Sequence, residues 1–356
     1  MSVKRKRPLA KSVRFLFVLF VIFLLSRTVS FAATSFVGYT ALPPLTVFDG
    51  DFYSIVDNQV YREPEGGGER SLLFSLNDDH FRTVVKDPQL YSYEGKLWTV
   101  IENADSGAVL LRGYAEPYSE ATNEIILRAW PEQGRFVNGQ FYYSAAEAGP
   151  SQISLYAVDL ASGVSIQIEK RSVLTFAATD RFLYFAPYEL LSDGQGGRVT
   201  FASEPPYEVY RFDTVNGNLA PLGFGIPFPD VYVIGDKVLA LNPKDNDLYQ
   251  FECLSFDFPT GDHDIACSIE SQSYPLVIVN RDYIVMQTTS SEAIEYRVYD
   301  KQLNEVNRFS VALRPDLVPV ALTGNRLYCA RRASDSATGY LVYSDYESFN
   351  YLTEGR

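Results

Sequence analysis

The chain has 356 residues, 46% of them apolar and 14% aromatic, with 31 Lys plus Arg against 44 Asp plus Glu. That apolar content at that length builds one large core or two ordinary ones, and it excludes a disordered chain, a collagen and a small disulfide-stapled scaffold. The 25 Tyr and 24 Phe, against two Met and two His, favour strands packed on pleated surfaces, so the expected class is all-β.

At the N-terminus, Lys4, Arg5, Lys6, Arg7, Lys11 and Arg14 precede an unbroken apolar run from Phe15 to Leu25, followed by Arg27 and the small-residue stretch Ser30-Phe31-Ala32-Ala33. This is the layout of a secretory signal. The run gives roughly 16 Å of helix, well short of the ~30 Å hydrocarbon core that a spanning segment crosses. Residues 1–32 are therefore expected to be a cleaved signal peptide. The alternative is a retained anchor, with residues 15–33 in contact with the membrane. Both readings place an N-terminal apolar helix before an extracytoplasmic body, secreted or held on the outer side of the cytoplasmic membrane. From residue 33 onward, 24 basic side chains stand against 44 acidic ones, a formal net charge of −20. A body that acidic repels phosphate backbones, so nucleic acid is not an expected partner.

Beyond the signal, one short pattern recurs seven times: a turn dipeptide, a polar residue, then an apolar and aromatic strand. Its copies are Asp49-Gly50-Asp51-Phe52-Tyr53, Glu94-Gly95-Lys96-Leu97-Trp98, Asn138-Gly139-Gln140-Phe141-Tyr142, Thr179-Asp180-Arg181-Phe182-Leu183, Gly235-Asp236-Lys237-Val238-Leu239, Asn280-Arg281-Asp282-Tyr283-Ile284 and Gly324-Asn325-Arg326-Leu327-Tyr328. The spacings are 45, 44, 41, 56, 45 and 44 residues. A short apolar segment precedes each copy, such as Leu45 to Phe48 or Leu276 to Val279. A further strand ending in Asp follows, as in Leu155 to Asp159, Val209 to Asp213 and Tyr296 to Asp300, and then a turn and a fourth, weaker strand. Four antiparallel strands per unit of about 45 residues predict the blades of a β-propeller. Residues 33–356 are expected to form a single propeller domain of seven four-stranded blades, with six or eight as alternatives. Ser35 to Tyr39 could supply the outer strand of the last blade and close the ring; Phe349 to Leu352 competes for that place.

The turn-plus-aromatic strand, the following Leu-Tyr-x-x-Asp strand and its Gly turn resemble the extracytoplasmic TolB-like and YWTD-like bacterial propeller repeats, especially a Tyr-rich group of them. The resemblance covers nearly all of the chain after the signal. It implies a binding or scaffold protein and carries no catalytic residues to this sequence.

Chemistry-bearing residues are sparse. The 56-residue spacing marks an insertion in the fourth blade between Pro187 and Pro206, joining second to third strand on the rim of the blade-to-blade connections. Its Asp193, Gln195 and Arg198 are candidate binding residues, since rim loops carry recognition in rigid scaffolds. A hairpin turning at Pro259-Thr260-Gly261, with Phe258 opposite Asp262, sets Cys253 opposite Cys267, the candidate disulfide; a slip of one residue would remove the match. Cys329 is expected to be a buried core thiol. Asn77 to His80 and Asp262 to Asp264 lack zinc-ligand spacing, and Lys244 to Asp247 lacks the further ligands of a calcium loop, so all three read as polar turns and no metal or cofactor is expected. No Gly-x-Ser-x-Gly elbow is present, and the many Tyr and Phe read as blade packing. The expected function is a non-catalytic binding or scaffold propeller recognising a protein, peptide or glycan in the cell envelope or outside it. The alternative is a carbohydrate-active enzyme using carboxylates projected into the central channel.

Overall fold

The computed structural model describes residues 45–48, 51–56, 59–64, 69–76, 81–82, 89–103, 105–146, 152–173, 175–192, 199–201, 205–244, 247–257, 262–314, 317–322, 325–334 and 341–355. The expected N-terminal helix and the segment Ser35 to Tyr39 lie outside these. The described chain is all-β, a seven-bladed propeller of successive antiparallel sheets. Five blades have four strands, in the fourth with the Leu190–Ser192 and Val199–Phe201 hairpin set between its second and third, and blade 2 has five, because Phe81–Arg82 also pairs with Lys96–Asn103. The seventh has three among the described residues: Leu317–Leu322, Leu327–Ser334 and Leu341–Phe349. One expectation is corrected, that Phe349 to Leu352 competes for the outer strand of the last blade. Phe349 ends the third strand of the last blade and the chain then turns through residues 351–355, so that segment does not supply an outer strand.

The repeated motif is the second strand of each blade, entered through a tight turn from the first. In blade 3 the first strand, Pro131–Val137, pairs with Gln140–Ala145 in a register that leaves two turn residues, Asn138 and Gly139, with φ of 50° and 72°. Positive φ at both central positions is what a type I′ two-residue hairpin requires, and Asn-Gly supplies it at least cost. The Asp closing each third strand has a local role. Asp159 Oδ1 accepts the Ser162 and Ala161 N–H groups at 2.7 and 3.2 Å, and Asp300 Oδ1 accepts those of Gln302 and Asn304, both at 2.9 Å. The carboxylate thereby satisfies donors that the turn would leave open.

Packing follows from alternation on sheets that are covered on both faces. In the second strand of blade 5, Lys237–Lys244, Val238 and Ala240 join the apolar cluster shared with blade 4, and Leu239 and Leu241 join the one shared with blade 6. Each of the seven blade-to-blade interfaces holds such a cluster, including the closing one, where Phe52 of blade 1 stacks on Tyr328 of blade 7 with ring centroids 4.7 Å apart. The aromatic residues are thus mainly blade packing: Tyr142, Tyr143, Tyr156 and Tyr296 are fully buried.

Buried polar clasps tie the innermost strands together. Gln89 of blade 2 donates to the Pro131 carbonyl of blade 3 at 2.6 Å. Gln133 of blade 3 donates to the Phe176 carbonyl of blade 4 at 3.0 Å and accepts the Phe176 N–H at 2.9 Å. Thr175, leading into blade 4, donates to Asp230 at 2.8 Å and accepts the Val231 N–H at the entry to blade 5 at 3.1 Å.

Two predictions test this frame. Gln133→Ala leaves the Phe176 N–H and carbonyl without partners and should cost about 2–4 kcal/mol in chemical denaturation, against within about 0.5 kcal/mol for Gln302→Ala on an exposed turn. In blade 4, the Arg181 guanidinium, 2.7 Å from the Asp213 carboxylate, together with the Val215 and Asn216 N–H groups, lowers the Asp213 pKa to about 2. A folded pKa below the unfolded value of about 3.9 means stabilisation that is complete above that pH and lost as pH falls toward 2. The melting-temperature gap between the wild type and Asp213→Asn should narrow steadily between about pH 5 and pH 2; a gap independent of pH would count against this assignment.

Candidate functional site

The insertion in blade 4 sits as its position in the repeat requires. It leaves the second strand, Phe182–Phe185, forms a short hairpin of Leu190–Ser192 with Val199–Phe201, and returns to the third strand, Tyr207–Asp213. Its root is bonded to the connection between blades 3 and 4: Ser172 and Tyr188 exchange both backbone hydrogen bonds at 2.9 Å. The insertion therefore springs from the rim of the blade-to-blade connections. Asp193, Gln195 and Arg198 lie outside the described residues, as does His80.

Where the insertion returns, Pro205 and Pro206 form one wall of a groove of about 390 Å³ between blades 4 and 5. Phe224 and Pro227, from the end of the fourth strand of blade 4 and the connection after it, form a second wall; Phe256 and His263 of blade 5 form a third. The rings are ordered. Phe224 and Phe256 stack with centroids 4.9 Å apart and planes 8° from parallel, and His263 continues the stack at 5.2 Å from Phe256. Phe256 is buried, Phe224 half-buried and His263 exposed, so the stack runs from the blade interface out to solvent. The Asn242 carboxamide, without a hydrogen-bond partner among the described residues, is the one amide on the lining. An open, mostly apolar cleft with a few polar groups is the ordinary form of a recognition site. Gly225 sets its width: a Cβ there would stand 2.8 Å from Pro206 Cβ and 3.2 Å from the Pro206 backbone.

The sequence reading missed this groove because its walls come from two blades, with Phe224 and Phe256 standing 32 residues apart along the chain. The available signal was the run Phe224-Gly225-Ile226-Pro227-Phe228-Pro229, unusually rich in Pro and Phe for a blade-to-blade connection.

The channel offers different chemistry. Among the described residues, Glu132 in blade 3 is the single carboxylate on the innermost strands of the seven blades. Arg135 on the same strand is exposed and donates to the Gly134 carbonyl at 2.8 Å.

The thiols stand opposed, for a reason that differs from the expected turn. Phe256 pairs with His263 and Leu254 with Ile265, a register that would set Cys253 against Ala266; a β-bulge at Ala266 shifts it by one and brings Cys267 opposite Cys253. All three cysteines are free thiols in the structure. Cys329 is fully buried, its sulfur 3.4 Å from the Tyr296 hydroxyl. Lys244 and Asp247 close a hairpin, as expected. Among the described residues, no three His, Cys, Asp or Glu side chains come together as a metal site.

No protein-family model and no curated protein matches the chain. The fold is similar to one in a structural and mechanistic analysis of two prolyl endopeptidases, with a TM-score of 0.50 and 10% identity over 90% of this chain and 52% of that one. TolB from Acinetobacter baumannii gives a TM-score of 0.43 and 14% identity over 72% of this chain and 59% of that one. Porphyromonas gingivalis dipeptidyl peptidase 4 gives 0.42 and 10% over 88% and 54%. The chain spans between half and three-fifths of the length of these proteins, and likeness at such identity is one of fold. The fold defines a seven-bladed β-propeller.

Gly225→Ala should force the Pro205–Pro206 wall outward and cost about 1–3 kcal/mol by overpacking, read as a lowered denaturation midpoint with an unchanged slope.

Proposed function

We propose that this propeller is an exported, non-catalytic binding protein that receives an extended, proline-containing segment of a partner protein in the groove between blades 4 and 5. The groove carries the reading: flat Pro and aromatic surfaces beside a free carboxamide suit a polyproline-type strand, which arrives with little conformational entropy left to lose. Asp193, Gln195 and Arg198 of the insertion are proposed as a second contact, since the insertion ends at the groove's Pro205–Pro206 wall. Export rests on the basic and apolar N-terminal sequence, and it places the partner in the cell envelope or outside the cell. The net charge of −20 from residue 33 onward favours a basic segment, through long-range attraction rather than contact.

The test is selection of displayed peptides on the purified chain, with a glycan array and glycan turnover followed in parallel. Proline-containing basic peptides should be enriched. Phe224→Ala combined with Asn242→Ala should weaken their binding at least tenfold, about 1.4 kcal/mol, at unchanged fold. Alanines at Asp193, Gln195 and Arg198 should weaken it less. Turnover of any glycan, or peptide binding indifferent to Phe224, would contradict the reading.

A further inference from the structure

The cysteine pair offers chemistry that the groove does not use. Cys253 and Cys267 face each other across the third and fourth strands of blade 5, Asp247–Asp257 and His263–Glu270. Facing Cβ atoms of an antiparallel pair come as close as about 4.5 Å, the upper end of what a disulfide spans, so a small closing movement is enough to join the sulfurs. The two environments differ. Cys253 is 1% exposed, in the core between blades 5 and 6, whereas Cys267 is half-buried on the outermost strand, between exposed Ile265 and Ser268.

The surroundings sharpen the difference. The buried Tyr299 hydroxyl of blade 6 has no hydrogen-bond partner at normal geometry and lies beside the Cys267 sulfur. The Arg297 guanidinium is the nearby cation and Glu305 the opposing anion, also on blade 6. The Cys253 thiol, the Tyr299 phenol and Arg297 together hold Cys267 below the ordinary thiol range, against burial and Glu305. The facing Cys267 sulfur and burial hold Cys253 well above that range. Cys329 is the internal contrast: burial raises it to about 12, and no second sulfur faces it.

We propose that Cys253 and Cys267 form a thiol–disulfide exchange pair, with Cys267 attacking and Cys253 resolving, whose co-substrate is an accessible disulfide carried by a small thiol or by an oxidoreductase. The Cys267 thiolate attacks one sulfur of the donor, forming a mixed disulfide and expelling the first donor thiolate, which takes up the proton that Cys267 released. Cys253 then attacks the Cys267 sulfur, the Cys253–Cys267 bond forms, and the second donor thiolate leaves with the Cys253 proton. Two protein thiols are oxidised and one donor disulfide is reduced to two thiols. Rates in such exchange follow the thiolate fraction and access of the attacking sulfur.

The experiment uses the full chain, first reduced and freed of reductant. Brief iodoacetamide treatment at neutral pH, mapped by mass spectrometry, should modify Cys267 at least tenfold faster than Cys253 or Cys329. Oxidised glutathione should then remove two thiols from the wild type and leave no glutathione bound. Cys253→Ala should retain one glutathione on Cys267, Cys267→Ala should retain none, and Cys329→Ala should behave as wild type. An oxidoreductase in its disulfide form, offered in place of glutathione, identifies the donor: faster oxidation by it assigns a protein donor, slower oxidation a small one. Equal labelling of Cys267 and Cys329, or glutathione retained on the wild type, would overturn the proposal, and neither result depends on a variant folding.

Discussion

Each blade is apolar on both faces among the described residues, and only another blade of the same kind can cover either one. That constraint makes the repeat a ring. A row of blades would leave two large apolar faces in water, at roughly 25 cal/mol for each Å² exposed, whereas closure leaves none. The Phe52–Tyr328 stack is where the last face meets the first. Hydrophobic packing sets no distance or angle very narrowly, and the buried Gln133 and Thr175 clasps supply that definition by bonding backbone groups of the next blade.

A ring held this way leaves function to whatever interrupts the repeat. Blade 4 is interrupted twice, by the insertion between its second and third strands and by the Pro- and Phe-rich connection that leaves it. Both interruptions reach the same groove. Because Phe224 and Phe256 stand on packed sheets, that face of the groove is preorganised, which lowers the ordering cost of a bound segment. Blade 5 is interrupted more subtly, by one residue at Ala266, and that single residue brings two thiols into register.

Much of the ring was legible in the sequence because blades repeat local chemistry. Asn138-Gly139 must turn, Phe141 and Tyr142 must face opposite neighbours, and Asp159 must close its turn, so spacing alone located the second and third strands. What was not legible depends on contacts between units. Phe224 and Phe256 belong to different repeats, and no spacing relates them. The opposition of Cys253 to Cys267 was expected from a turn register that the structure shifts by one, and a bulge invisible to pairing arithmetic restored it. In blade 7, Leu341–Phe349 runs later in the chain than the third strand of the average repeat, which is why its end was read as an outer strand.

The proposed recognition surface lies between blades 4 and 5 rather than in the channel. Hydrogen exchange of the chain with and without a bound partner tests it most directly. Protection is predicted for the backbone around Tyr207, Phe224 to Phe228 and Leu254 to His263, with the innermost strands unchanged. Protection concentrated on Pro131–Val137 and the other innermost strands, with the groove unaffected, would contradict it.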